Sequence, residues 1–327
     1  MTSLDFSRYM LGSCAAAAML ASCGGSQPPI GAPGAMPQAS AIATRAKPTQ
    51  NLFGLRVGSE LAPPARQALL YFSSPSEEKV YVTSYPQGKL VGTLTGFASP
   101  GGLCSDDQGN IFVTDSINQN IVEYAHGGSS PIATLSDSGY LPVDCAFDAR
   151  TGNLAVANSQ SSSGPGNIAI YADEQGPATL YSDQNFSTYL SCAYDNKANL
   201  FLVAGTDGDF MFAELPRGSH HFQSLSVSFS ALGGVQWDGK YIAVGSSPGG
   251  EDASIYRVSV SKKIVTMKGT VPLDRGQHKV NLRYFWVGGG KVVGAFGNYI
   301  GFWKYPTGNE VIKLLRYPST WGVAVSR

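Results

Sequence analysis

Charge is scarce in this chain of 327 residues: Asp, Glu, Lys and Arg make up 14% of it, and 23 cationic residues balance 23 acidic ones. A nucleic acid demands clustered cations to displace its counterions, and an anionic membrane surface demands a basic face. The composition argues against both. Histidine is rarer still, with only His126, His220, His221 and His278. No His-x-x-x-His or Cys-x-x-Cys spacing occurs, so a conventional zinc site is not expected. The Gly-x-Ser patterns stand in loops rather than at a strand-to-helix elbow, which leaves a hydrolase nucleophile unsupported. Amphipathic helical runs are missing, and no apolar run approaches the roughly 20 residues that span a bilayer. Glycine, by contrast, is abundant at 39 residues, so turns and strands should dominate.

The first residues read as a targeting signal. Arg8 and the free amine precede an apolar, Ala-rich stretch from Met10 to Leu20, followed directly by Leu20-Ala21-Ser22-Cys23-Gly24. This pattern resembles the bacterial lipobox, which implies lipidation at Cys23 and a signal peptide over residues 1–22. An ordinary signal cleaved after Ala-Ser, or further on, is the alternative. Acyl chains on Cys23 would hold the protein at a membrane surface, at about 0.8 kcal/mol per buried CH₂. Gly24, Gly25 and Ser26 follow with no Asp, which by the same resemblance favours the outer membrane or cell surface. Residues 23–67 are dense in Pro, Ala, Gly, Ser and Gln and cannot bury enough surface to offset ordering entropy, so a flexible tether is expected.

From residue 68 onward a phrase recurs: an apolar strand, a turn with Asp, a second apolar strand, then a third. It runs Gly102-Leu103-Cys104-Ser105-Asp106-Asp107-Gln108-Gly109-Asn110-Ile111-Phe112-Val113-Thr114-Asp115. It returns as VDCAFDARTGNLAVA (143–157), LSCAYDNKANLFLVA (190–204) and GGVQWDGKYIAV (233–244). Aligned on Asp107, Asp148, Asp195 and Asp238, the copies lie 41, 47 and 43 residues apart. Four short strands per unit of this period specify a propeller blade. A degenerate copy covers about 280–315. The first ordered unit opens at its second strand, Leu69-Leu70-Tyr71-Phe72, and Trp321-Gly322-Val323-Ala324-Val325 supplies the missing first strand from the other end. The expectation is an all-β, six-bladed β-propeller over 68–327, with four-stranded antiparallel blades and a ring closed by the C-terminal strand.

In this register the chain resembles propellers of the NHL, YVTN and senescence-marker-protein/gluconolactonase type. The resemblance rests on Pro100-Gly101-Gly102-Leu103, Asp107, the run from Gly109 to Ser116, and Asn120-Ile121-Val122-Glu123-Tyr124. For the gluconolactonase-like members it implies a divalent cation in the central channel, held by a Glu, two Asn and an Asp, that polarises a lactone carbonyl and activates water. Asp115 matches that Asp. Gly101 stands where one Asn is required, Asn158 could supply the other, and no Glu occupies the N-terminal position. Asp144 is the candidate substitute ligand.

The remaining polar and sulfur residues read as architecture. Cys104, Cys145 and Cys192 occupy one repeat position, filled by Val235 in the next copy, so they are expected to pack as small apolar groups. Inner strands at sheet-packing distance would lie too far apart for a disulfide. The turn aspartates recur in every copy and are expected to bond their own backbone. His126 is expected to be solvated in its Gly-Gly-Ser loop. Ser161 to Gly166 and Ser246 to Gly250 are expected to project as loops. Tyr140, Tyr189, Trp237, Phe285, Trp286 and Trp321 should mostly fill space between blades, with one or two free at a channel mouth to stack on a sugar.

The resulting expectation is an exported, lipid-anchored module of a bacterial cell envelope. It is monomeric, has no cofactor and no nucleic-acid partner, and binds a protein, peptide or glycan on one propeller face. The alternative is a metal-dependent lactonase or hydrolase with one Ca or Zn ion on Asp115, Asn158 and Asp144.

Overall fold

The computed structural model describes residues 67–206, 209–229, 232–247, 252–276 and 280–327. The chain divides into two units, Met1–Leu55 and Arg56–Arg327, and the described residues all belong to the second. The signal assigned to 1–22, Cys23 and nearly all of the tether lie outside the described residues, as does most of Ser246 to Gly250. Among the described residues no helix is long and apolar enough to cross a membrane.

The second unit is a succession of antiparallel strands. They are β1 (Leu69–Ser74), β2 (Lys79–Ser84), β3 (Leu90–Leu94), β4 (Pro100–Ser105), β5 (Ile111–Asp115), β6 (Asn120–Tyr124), β7 (Pro131–Ser136), β8 (Tyr140–Asp148), β9 (Asn153–Ser161), β10 (Gly164–Tyr171), β11 (Thr179–Tyr181) and β12 (Thr188–Tyr194). The series continues through β13 (Leu200–Thr206), β14 (Asp209–Leu215), β15 (Gln223–Leu225), β16 (Leu232–Trp237), β17 (Ile242–Ser246), β18 (Ser254–Ser261), β19 (Ile264–Asp274), β20 (Phe285–Gly288), β21 (Lys291–Phe296), β22 (Tyr299–Lys304), β23 (Gly308–Arg316) and β24 (Val323–Ser326). Four sheets have four strands each, in the orders β24-β1-β2-β3, β4 to β7, β8 to β11 and β12 to β15. An eight-stranded sheet holds β16 to β19 and β20 to β23 side by side. Its halves meet only where β19 and β23 run parallel, at Leu273↔Asn309 and Asp274↔Glu310.

Both faces of the middle strands are buried, which explains their nearly continuous apolar runs. Side chains alternate across a strand, so Ile111 and Val113 of β5 pack with Val80, Val82 and Leu103 on one side. Phe112 points the other way, against Leu154, Val156 and Ala169. On β13, Leu200, Leu202 and Ala204 join Ala155 and Ile168, while Phe201 and Val203 join Val235 and Val244. The core therefore lies between consecutive sheets rather than at one centre. Each buried Val, Leu or Phe contributes about 1.5–3 kcal/mol.

The two ends of the unit pair as the strand count predicts. β24 is antiparallel to β1, with Leu69 opposite Ser326 and Phe72 opposite Val323. Ser73 continues the seam: its N–H donates to Gly322 O at 3.1 Å, and its carbonyl accepts Trp321 N–H at 3.0 Å. Its hydroxyl accepts Gly322 N–H at 2.9 Å and donates to Gly101 O at 2.6 Å, which ties the seam to the next sheet. At the other end of β24, the Ser326 hydroxyl donates to Gly109 O and meets His126 Nδ1 at 2.5 Å. His126 is therefore half-buried at the seam rather than solvated.

Several local expectations need correction. Cys104 and Cys145 form a disulfide with a Cα–Cα distance of 5.6 Å, and only Cys192 packs as a buried thiol. Strands β4 and β8 approach far more closely than two stacked sheets do, because β4 carries glycine at the contact. A Cβ on Gly102 would lie 2.7 Å from Asp144 Cα and 2.4 Å from its Oδ1. In the first copy the turn residue is Asp106 rather than the exposed Asp107. Asp106 Oδ1 accepts the N–H groups of Gln108 at 2.9 Å and Asn110 at 2.7 Å. Ser161 to Gly166 is no loop but the hairpin end of β9 and β10, with Ser161 opposite Gly164.

Candidate binding site

β4, β8, β12, β16, β20 and β24 each stand at the end of a strand order. They line a common channel with one backbone edge left unpaired by any strand. Asp115, Asn158 and Asp144 lie in different surroundings around it, and no hydrogen bond joins any two of them. Asp115, at the end of β5, is fully engaged by its own sheet. Oδ2 accepts Ala98 N–H and Asn118 Nδ2–H, each at 2.8 Å, and Oδ1 accepts Ser99 N–H at 2.8 Å. Asn158 of β9 donates from Nδ2 to Asn167 Oδ1 at 2.8 Å, and its Oδ1 is buried without a hydrogen-bond partner. Near it, burial pushes the Asp137 carboxyl up to about 6, against the opposing hydrogen bonds of Asn158 and Tyr171.

Asp144 sits on β8 inside the channel, where it knits neighbouring sheets. Ser191 on β12 donates its hydroxyl proton to Asp144 Oδ2 at 2.6 Å, and the same oxygen of Ser191 accepts Val235 N–H from β16 at 2.9 Å. The N–H groups of Cys145 and Cys192 also bond the carboxylate, yet full burial outweighs these donors and pushes Asp144 up to about 7. Above it the half-buried Tyr284 donates to Leu190 O at 2.9 Å, and the Arg283 guanidinium stands 4.0 Å from the Trp321 ring centre. Among the described residues, the side chains at this end of the channel are largely committed to hydrogen bonds within the protein. A shared cation on Asp115, Asn158 and Asp144 does not fit these partners, so no metal-assisted step follows. Asp106, Glu123 and Glu174 do bring carboxylate oxygens within 4.8 Å of one another, between the second and third sheets, and these are the acidic groups of the described residues that could hold a cation.

The opposite end, where the inner strands run into the Asp turns, is open. A cavity of about 200 Å³ is lined by residues of all the inner strands, among them Ser105, Phe147, Tyr194, Trp237, Trp286 and Ala324. Arg327 stacks 5.3 Å above the Trp286 ring. Tyr194 is also a wall of a second cavity, about 110 Å³, with Tyr181, Thr151 and Arg217. Trp237 is also a wall of a third, about 320 Å³, with Phe201, Tyr241, Lys197 and Lys240. Two aromatic side chains thus divide one tract into three compartments. Hydroxyl and carboxamide groups such as Ser259, Asn196 and Gln236 lie beside the rings.

Sequence reasoning placed Trp237 and Trp286 near blade starts but missed this tract. The signal was present. The residue before the turn Asp is aromatic in three successive units, Phe147, Tyr194 and Trp237, and the residue two beyond it is basic, Arg150, Lys197 and Lys240. The aspartates are consumed by their turns. Asp195 Oδ1 accepts Lys197 N–H at 2.8 Å and Asn199 N–H at 2.9 Å, and Asp148 Oδ1 accepts Arg150 N–H at 3.1 Å. Asp238 Oδ1 accepts Lys240 N–H at 2.8 Å and Tyr241 N–H at 2.6 Å, while Oδ2 pairs with Arg257 at 2.7 Å.

No protein-family model matches the chain, and no curated protein matches it by sequence. Solved structures do share its fold. A chain from the crystal structure of a nidogen/laminin complex superposes with a TM-score of 0.64 at 11% identity, over 80% of this chain and 98% of that one. A protein of unknown function from Bacteroides caccae superposes with a TM-score of 0.60 at 10% identity, over 80% and 99%. These likenesses, with the four-stranded sheets around a channel, establish a β-propeller fold.

Proposed function

We propose that this chain is a six-bladed propeller that acts as a non-enzymatic binding module, and that it takes its ligand on the face carrying the Asp turns. The observation that carries this reading is the tract of three cavities sharing Tyr194 and Trp237 as walls. Concave sites lined by aromatic groups with a few polar ones are the usual form of a ligand site. The count of six follows from treating the eight-stranded sheet as two blades, because two residue pairs alone join its halves. A propeller-like neighbour found in a complex of nidogen with laminin supports a scaffold that presents one face to a partner.

The address belongs to the same reading. Lipid on Cys23 and a tether to about residue 67 would hold the monomeric propeller off a bacterial outer membrane with its binding face free. Changing Cys23→Ser should release the protein from the membrane fraction, and unchanged partition would remove the anchor. For the binding face, the intact protein and a Trp237→Ala variant of equal melting temperature are compared on glycan and peptide arrays. Ligands of the intact protein should be lost in the variant; ligands retained by both would place binding elsewhere.

A further inference from the structure

We propose that the ligand of this face is an acidic oligosaccharide, whose successive sugar units each offer a ring to an aromatic side chain and an anionic group to a turn cation. This deepens the binding-module reading and rests on it. The protein repeats aromatic-Asp-x-cation three times, as Phe147-Asp148-Ala149-Arg150, Tyr194-Asp195-Asn196-Lys197 and Trp237-Asp238-Gly239-Lys240. A repeated reader suits a repeated ligand. The geometry makes the three copies contiguous. Arg150 Nη1 donates to the carbonyl of Asn196, the neighbour of Lys197, at 2.8 Å. Lys197 and Lys240 then border the same cavity as Trp237 and Tyr241. Phe147, Tyr194 and Trp237 meet in the cavity at the channel mouth.

Chemistry separates this ligand from its competitors. An extended peptide is read by adding a strand to an open sheet edge. Of the outer strands β3, β7, β11, β15, β19 and β23, only β11 reaches one of the three cavities, through Tyr181 at its end. A single-stranded nucleic acid also presents rings and anions, but it needs a strongly cationic groove to displace counterions. Here the face offers only isolated cations, one per turn, in a chain of zero formal net charge. A neutral sugar would make no use of the positive charge that Lys197 and Lys240 bring to the cavity beside Trp237. Aromatic faces, carboxamides and hydroxyls match the apolar ring faces and vicinal hydroxyls of a sugar, and the cations match its carboxylates or sulfates.

The test is a titration of the full chain, followed by Trp fluorescence and calorimetry. The probes are uronate and sulfated oligosaccharides of one to four units, the methyl esters of the same uronates, and oligothymidylate of matching length. Affinity for an acidic probe should rise with each unit up to three, fall with added salt, and exceed that for its methyl ester. Trp237→Ala should weaken it by about tenfold or more. Lys197→Gln with Lys240→Gln, both at exposed positions and checked for an unchanged melting temperature, should erase the preference for acid over ester. Equal binding of acid and ester, tighter binding of oligothymidylate, or no binding of any acidic probe would each overturn the assignment. If an array peptide or neutral glycan still depends on Trp237, the binding face stands and only the ligand class falls.

Discussion

The two ends of the channel are built from the same inner strands and differ in what fills them. Toward one end, Ser191 links Asp144 to Val235 across neighbouring units, and Tyr284 separately bonds the Leu190 carbonyl. Toward the other, Phe147, Tyr194, Trp237 and Trp286 surround open space. Bonded polar groups have little left to offer a ligand, whereas the partly exposed rings of Phe147, Trp237 and Trp286 and the exposed Lys197 and Lys240 remain available. The two ends thus differ, among the described residues, in how much of their polar surface is already bonded.

The largest effect comes from β24, on which both ends depend. Removing residues 321–327 takes away an inner strand, its pairing to β1 and the Ser73 seam. It also exposes the edge of β1, whose residues are wholly buried. Loss of the cooperative thermal transition is expected in circular dichroism. A truncated chain that melts as the full one does would show that closure adds nothing.

Next is the closed end itself. A free Asp titrates near 3.9 and Asp144 at about 7, so the folded chain holds this proton more tightly than the unfolded one. The folded state therefore binds more protons across that window, and stability falls as pH rises from about 4 to about 7, by about 4 kcal/mol, then levels off. The nearby Cys192 thiol is pushed up by burial and by Asp144, so it stays neutral throughout. Asp144→Asn should remove most of the slope. What remains should end near pH 6, where Asp137 finishes its own titration in the same direction. Urea melts at intervals across the window would show this, and a slope unchanged in the variant would place the titrating group elsewhere. Binding at the turn face should survive the substitution, which is the point of the contrast.

A smaller loss, about 2–4 kcal/mol, is expected when Cys104 and Cys145 are both replaced by Ala, since the bridge closes a loop with a sequence separation of 41. Reductant should act on the native chain as the double replacement does, and a melt insensitive to both would mean that the closely packed β4 and β8 need no bridge.

This bridge also marks where the sequence ceases to be readable. Strand count, period and the need for a first strand at the N-terminal unit were enough to expect β24 against β1. Turn aspartates were recognisable by recurrence, except that Asp106 and Asp107 are adjacent and nothing but the fold chooses between them. The disulfide was not legible, because the approach of β4 to β8 depends on what faces Gly102, a contact across 42 residues of chain. Asp144 stood out as a residue that does not repeat. Its partner Ser191 did not, because their hydrogen bond spans sheets that no local pattern connects. The aromatic-Asp-x-cation phrase was in plain view. It went unread because only the recurring Asp was aligned, and the residues flanking it were not compared from copy to copy.

The smallest effect separates the two roles open to Asp115. Its carboxylate takes the N–H groups of Ala98 and Ser99, which lead into β4, and the side chain of Asn118. Asp115→Ala leaves those donors without an acceptor in a partly buried turn, a cost of about 1–3 kcal/mol. Asp115→Asn keeps one acceptor oxygen and should lose less than the Ala variant does. A residue that held a cation would behave otherwise. Both variants would then fall equally, and Ca²⁺ would raise the melting temperature of the native chain but of neither variant. Graded losses with no response to Ca²⁺ are expected, since a carboxylate already committed to three donors has little to give a metal. An equal fall with a Ca²⁺-dependent melt would return the closed end of the channel to the list of reactive sites and dissolve the contrast between the two ends.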